Sequence, residues 1–403
     1  MIPMNPLKES FLKYLGQTSP YPIGLEIDHA EGCFVFDPEG NKYYDLISGF
    51  SVSNTGHSNP EIIEAIKCQA EKYLHTMVYG EYIQAPQVEY AKALIDSLPQ
   101  GSFEQVFFTN SGAEAVEGAL KLAKRHTGRH ELICFRNAYH GSTHGALSVM
   151  GSELYKTAFR PLLPSVRILD FNDFAQLNQI SRDTAAVIVE PLQAEAGIIP
   201  PAPGFLKALR EQCNAAGSLL LFDEIQTGFG RTGELFAFMH EKVIPDILIL
   251  AKALGGGMPL GAFISSGKIM SAFTRDPVLG HLTTFGGHPV SCAAGLASFN
   301  IINRRQLAKE SSQHEVFIRK NLQHPSILEI RGKGLMLAVV LDSGERVDRF
   351  FKLSLRQGLL FDYFLFCHNA IRVAPPLTIS EKELSDLCKR IIQTLDLTET
   401  QPI

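Results

Sequence analysis

The chain has 403 residues, 45% hydrophobic and 20% charged, the balance of an ordinary globular protein rather than a disordered or fibrous one. That length exceeds what one small core needs, so a large domain plus a smaller one is expected. A net charge of −5, from 37 basic and 42 acidic residues, argues against a nucleic-acid-binding protein and leaves small anionic ligands open.

The opening stretch Met1–Ser10 lacks the apolar core of a signal peptide, and no apolar run is long and unbroken enough to span a bilayer. Seven cysteines, odd in number and without a CxxC pair, read as reduced thiols rather than a disulfide framework or a zinc site. A cytoplasmic protein is expected.

In chain order, Gly32–Leu46 predicts a hairpin, with apolar runs flanking an Asp37-Pro38-Glu39-Gly40-Asn41 turn. Pro60–His75 reads as a helix. From residue 105 onward short apolar runs recur at Val106–Thr109, Leu132–Phe135, Val166–Leu169, Ala186–Val189, Leu219–Phe222, Ile247–Leu250 and Ala262–Ser265. Helix-length patterns such as Glu114–His126 and Gly204–Ala216 lie between them. Continuous apolar strands separated by helices predict an α/β fold with a mostly parallel sheet covered on both faces. Beyond residue 290 a long helical stretch (Ser291–Arg304 and onward) precedes strands over Ile327–Gly334 and Leu335–Leu341 and a last helix at Ser380–Leu395. These predict a smaller α+β domain. The expected division is 1–50 as an N-terminal segment of the small domain, 51–295 as the large domain, and 296–403 as the C-terminal small domain.

Ligands of such sheets sit beyond the carboxyl ends of the strands, so polar residues just after an apolar run carry the most interest. The first such place is Thr109-Asn110-Ser111-Gly112-Ala113-Glu114, where a strand gives way to a helix. Free N–H groups and the helix dipole make an anion site there, and Ser111, Gly112 and Ala113 are small enough to admit a phosphate. Plain N-capping explains the same residues. Next, Glu190 and Glu195 follow a strand and could each hold a basic residue, or be solvated loop acids. Then Asp223 and Glu224 follow Leu219–Phe222. A carboxylate so placed calls for a cation, and a pyridine nitrogen would serve. At ~4 Å and an effective dielectric of ~20 such a pair gains about 4 kcal/mol. A turn-capping Asp is the bland alternative. Last, Lys252 ends an apolar strand before Gly255-Gly256-Gly257. Desolvation turns a lysine into a nucleophile for carbonyl carbon, and glycines let backbone pass close to a flat ligand. A lysine that snorkels to the surface would look the same locally.

Taken together, these segments resemble the class-III pyridoxal-phosphate aminotransferases of fold type I, such as the ornithine, acetylornithine and 4-aminobutyrate enzymes. The resemblance rests on Thr109–Ala115, Tyr139-His140-Gly141, Glu190–Glu195, Phe222–Gly233, Ala251–Gly257, Thr283-Thr284-Phe285-Gly286-Gly287-His288-Pro289 and Arg372–Leu377, spread in order along nearly the whole chain. It implies that Lys252 carries pyridoxal 5′-phosphate as a Schiff base and shuttles the proton between substrate Cα and cofactor C4′. Asp223 would pair with the pyridinium nitrogen, and Gln226 would lie on the 3′-oxygen side. Tyr139 and Ile225 would cover the two ring faces, and Ser111, Gly112 and Ala113 would hold the phosphate. Thr284 would reach the phosphate of the neighbouring subunit, which implies a homodimer with shared sites. Arg372 would grip the substrate α-carboxylate, and Glu195 would pair with Arg372 when an ω-amine enters.

The implied activity is a ping-pong transamination from an ω-amino donor, such as ornithine or acetylornithine, to a 2-oxo acid. Two departures stand out. Ser142 replaces the arginine that holds the distal carboxylate of a dicarboxylic substrate, which favours pyruvate over 2-oxoglutarate as acceptor. His288 stands where asparagine is usual. The alternatives are an aminomutase or racemase on the same scaffold, disfavoured by Arg372 with Glu195, and a non-catalytic protein of this fold, disfavoured by an intact Lys252 and Asp223.

Overall fold

The computed structural model describes residues 6–400; residues 1–5 and 401–403, the outer ends of the two segments expected in the smaller domain, lie outside the described residues. The strands come in chain order. β1 (His29–Glu31), β2 (Phe34–Phe36) and β3 (Lys42–Asp45) precede the main body. Then follow β4 (Gln105–Thr109), β5 (Glu131–Phe135), β6 (Val166–Leu169), β7 (Thr184–Val189), β8 (Leu219–Asp223), β9 (Ile247–Ala251) and β10 (Gly261–Ser265). The last are β11 (Ile327–Lys333), β12 (Met336–Leu341), β13 (Leu359–Leu360) and β14 (Ala370–Val373).

The seven middle strands form one sheet in the order β4-β10-β9-β8-β7-β5-β6. All share a direction except β10, which runs antiparallel to both β9 and β4. The period of two divides each strand between two cores. Phe222, Leu220, Leu248 and Val187 pack with the helix Phe205–Ala216 on one face. Leu219, Leu221, Ile249 and Ile188 pack with the helix Gly112–Thr127 on the other. The central strands β7, β8, β9 and β10 are thus buried on both sides, which is why their sequences read as largely unbroken apolar runs.

The N-terminal hairpin forms as β2 and β3, and β3 then pairs in parallel with β13, from near the other end of the chain. β11, β12 and β14 make a separate antiparallel sheet. Fully buried Arg231 links these regions, donating to the carbonyls of Leu335 (3.0 Å) and Pro375 (2.6 Å) and to Asn54 Oδ1 (2.6 Å).

Two helices differ from expectation. The one from Pro60 ends at Lys72, because Tyr73 is extended (φ −169°), and this carries His75 off the helix. The long stretch after residue 290 is two helices, Pro289–Arg304 and Leu307–Asn321, broken where Gln306 takes φ +55°. Among the described residues no helix is long and apolar enough to cross a membrane.

Candidate active site

A cavity of about 580 Å³ opens at the carboxyl ends of β7, β8 and β9. Strand alternation decides which of the two adjacent acids reaches it. Asp223 continues the face of Leu219 and Leu221, and it lines the cavity. Glu224 turns to the opposite side, fully buried, where it accepts from the backbone N–H of Ala237 and Phe238 (both 2.7 Å) and from Thr227 Oγ1 (2.8 Å). Burial pushes Glu224 up to about 7. It is an anchor for its loop.

Asp223 is held at both oxygens. Oδ1 accepts from the Ile225 N–H at 3.0 Å, and Oδ2 lies 2.7 Å from His140 Nδ1. Facing the Asp223 carboxyl oxygen, His140 Nδ1 is the donor; its Nε2 is buried and finds no partner among the described residues. Glu190 accepts from the backbone N–H of Tyr139 (3.1 Å) and Ala194 (2.9 Å), and burial raises it to about 7. It therefore holds backbone, not the basic residue its sequence position suggested.

Lys252 follows β9. Continuing the strand would send it to the face opposite Asp223, but its φ of +54° ends the extended run, and its side chain lines the cavity. A left-handed non-glycine residue costs on the order of 1–3 kcal/mol, a strain that marks functional positions. Burial lowers the lysine to about 8, against the opposing pull of Glu195 and Asp223.

The helix Gly112–Thr127 begins at the cavity wall. Ser111 caps it by accepting from the Glu114 N–H at 3.2 Å, while Glu114 accepts in turn from the Asn110 N–H at 2.9 Å. The first-turn N–H groups of Gly112 and Ala113 have no acceptor in their own helix, and both residues line the cavity. Gly112 packs closely on Ile225: a Cβ there would stand 2.8 Å from Ile225 Cδ1, so a larger residue would push that side chain aside. Tyr139 and Ile225 also line the cavity, and the Tyr139 hydroxyl lies 3.2 Å from Ser142 Oγ.

Behind Glu195 and Gln226 lies Arg372, on β14 and 1% exposed. Its Nη2 donates to both oxygens of Glu195 (2.9 and 3.0 Å), and its Nη1 donates to Gln226 Oε1 (2.9 Å). The rings of Phe364 and Phe50 approach its guanidinium carbon at 4.2 and 5.0 Å. Phe50 belongs to a left-handed turn, Ser48–Ser51, whose φ angles run from +50° to +71°. Gln226 therefore engages Arg372 and Glu195 within the protein.

Of the residues expected from sequence, Ser111, Gly112, Ala113, Tyr139, Glu195, Asp223, Ile225, Gln226 and Lys252 surround this cavity. Arg372 sits directly behind Glu195. Thr284 does not line the cavity; it is exposed, and its carbonyl accepts from His75 Nε2 at 2.9 Å. Sequence reasoning missed His140, Phe50 and Phe364. His140 stood within the Tyr139-His140-Gly141 segment; the two phenylalanines had no local signal.

These groups fit pyridoxal phosphate. A carboxylate suits the ring nitrogen, an amine of lowered pKa suits the aldehyde, a helix start suits the phosphate, and flat walls suit the ring faces.

The family model described as aminotransferase class-III matches residues 16–395. The acetylornithine aminotransferase of Methanopyrus kandleri is 39% identical over 385 residues, covering 95% of this chain and 96% of its own. The ornithine aminotransferase structure from Toxoplasma gondii ME49 superposes with a TM-score of 0.90 at 31% identity, covering 98% of this chain and 96% of that one. The omega transaminase of Pseudomonas jessenii, solved in complex with PMP, gives a TM-score of 0.90 at 25% identity, covering 98% and 99%. The chain thus belongs to the class-III aminotransferase family and is a pyridoxal-phosphate-dependent enzyme of fold type I.

Proposed function

We propose that this aminotransferase takes its amino group from an ω-amino donor of the ornithine or acetylornithine kind and passes it to a 2-oxo acid, 2-oxoglutarate or pyruvate, in a ping-pong cycle. The observation that carries this reading is the buried Arg372–Glu195 pair with Gln226 beside it. An amine that presents no carboxylate next to its reacting carbon leaves Arg372 in need of a counter-charge, and Glu195 supplies it. A 2-oxo acid brings its own carboxylate to the same guanidinium, so one pocket serves both halves of the cycle.

When bound, pyridoxal phosphate supplies the electron sink that stabilises negative charge at the substrate carbon. The chain's own residues would do the rest. Lys252 holds the cofactor and moves the proton at substrate Cα, Asp223 faces the ring nitrogen with His140 behind it, and Tyr139 and Ile225 cover the ring. Ser111, Gly112 and Ala113 hold the phosphate, and Gln226 lies toward the 3′-oxygen. Thr284, exposed and away from its own cavity, serves the neighbouring subunit of a homodimer; its exposed apolar flanks, Leu282 (46%) and Phe285 (54%), support that reading. Pairing of β3 with β13 supports a small domain built from 1–50 and 296–403 around a large domain of 51–295. Seven free thiols suit a reducing cytoplasm.

A screen of purified enzyme with ω-amines against pyruvate and 2-oxoglutarate tests the substrate class. Turnover of a single amino acid without any keto acid would replace this reading with an aminomutase. Ser142 lines the cavity without a positive charge. Ser142→Arg is expected to raise kcat/KM for 2-oxoglutarate relative to pyruvate by about tenfold or more, the worth of one charge-assisted hydrogen bond. An unchanged ratio would remove Ser142 from the acceptor site. Arg372→Ala should raise KM for α-carboxylate substrates by roughly 10- to 100-fold and lower stability by about 3 kcal/mol, since it leaves Glu195 buried and unpaired. Steady-state kinetics together with thermal unfolding would separate the two effects.

A further inference from the structure

The segment Thr283–His288 is pinned to its own subunit on its inner side. Asn110 Nδ2 donates to Thr283 Oγ1 at 2.9 Å, and Gln87 Nε2 donates to the Gly287 carbonyl at 2.7 Å. Gly286 lies flat on the end of β4: a Cβ there would stand 2.5 Å from the Phe108 carbonyl oxygen and 2.9 Å from Thr109 Cα.

The outer side is built differently. His75 Nε2 donates to the Thr284 carbonyl at 2.9 Å, which requires the proton on Nε2. The same imidazole packs on Phe285 at 4.8 Å and stacks on His288 at 5.7 Å with an interplanar angle of 27°. Phe285 and His288 close the cluster at 6.3 Å.

His288 also occupies the N-cap of the helix Pro289–Arg304, and its side chain makes no capping hydrogen bond there. An asparagine at that position could cap the helix. Here the side chain is spent on the ring stack instead.

We infer that His75 and His288 are positioning residues that fix the outer face of this turn and so set how Thr284 is presented to the phosphate site of the neighbouring subunit. The inference rests on the shared-site homodimer reading above. His75 holds the Thr284 backbone directly, and His288 acts through the His75 ring. Both lie outside their own subunit's cavity, so their effect should be felt at the phosphate and not at the ring or the aldehyde.

The test strips the full-length enzyme of cofactor and titrates it with pyridoxal phosphate and, separately, with phosphate-free pyridoxal, following the near-visible absorbance. Thr284→Ala is expected to weaken pyridoxal phosphate binding about tenfold, the worth of one good hydrogen bond. His75→Phe, which keeps a ring but loses the donor, and His288→Asn, which loses the ring but restores a cap, should each weaken it about three- to tenfold. Pyridoxal affinity should hardly move in any of them, and the histidine variants should add nothing in the Thr284→Ala background. His288→Asn should melt no lower than the unsubstituted enzyme, so its loss of affinity cannot come from a weakened fold. Unaltered pyridoxal phosphate affinity in both histidine variants, an equal loss with pyridoxal, or full additivity with Thr284→Ala would each overturn the positioning role. Loss in the histidine variants' effect alone would leave the shared site standing, whereas a silent Thr284→Ala would bring down the shared site and this inference together.

Discussion

Lys252→Ala should abolish covalent capture of pyridoxal phosphate, and with it the near-visible absorbance of the attached cofactor and all measurable transamination. The effect is the largest expected because, in the proposed cycle, the site's other residues would bind or orient, whereas Lys252 would both carry the cofactor and move the proton. Its lowered pKa, about 8, adds a pH signature. The uncharged amine is the nucleophile, so the capture rate should climb as pH rises through about 8 and then level off. An ordinary lysine would keep climbing to about 10.4.

Linkage fixes the sign for stability as well. Between about 8 and 10.5 the unfolded chain binds the extra proton and the folded, cofactor-free chain does not, so stability should rise with pH across that window. Lys252→Met removes the buried charge and should stabilise the cofactor-free enzyme below pH 8 by on the order of 3 kcal/mol. Stopped-flow capture and pH-dependent denaturant unfolding measure the two. A capture rate independent of pH between 7 and 9 would show that Lys252 is not the group being titrated.

Asp223→Asn should slow proton transfer at the substrate carbon by about a thousandfold while weakening cofactor binding much less. The estimate comes from the ~4 kcal/mol that a carboxylate gains opposite a cationic ring nitrogen at ~4 Å and an effective dielectric of ~20. Asparagine keeps the size and can still accept from the Ile225 N–H, so the loss reports charge, not shape. The His140 contact at 2.7 Å keeps Asp223 aimed, and its substitution should give a milder version of the same defect. Single-turnover kinetics beside a cofactor titration separates the two steps. Equal losses in both would reduce Asp223 to a binding residue, and undiminished proton transfer would remove it from the chemistry.

Much of this was legible in the chain because it is written at short range. A buried parallel strand needs apolar side chains on both faces, so β4 to β9 announced themselves as largely apolar runs. The polar residues that ended those runs, Asn110, Glu190, Asp223 and Lys252, were conspicuous because a strand end is where a fold of this kind opens to a ligand. Local pattern alone could not tell the acids apart, and only the family resemblance pointed to Asp223 and Glu195. Asp223 and Glu224 are adjacent and alike, and only the pleat, set by which face meets the helix Gly112–Thr127, turns one to the cavity and the other to the Ala237–Phe238 backbone. Likewise Glu195 found Arg372, 177 positions away, while Glu190 found its neighbours' N–H groups.

The direction of β10, the bracing of Asp223 by His140, and the rings of Phe50 and Phe364 against Arg372 were also decided only in three dimensions. The physical reason is common to all of them. Periodicity and strand-end chemistry depend on residues a few positions apart, whereas strand order, pleat and crossover bring together side chains that share no local pattern, and each contact exists only once the rest of the sheet is in place.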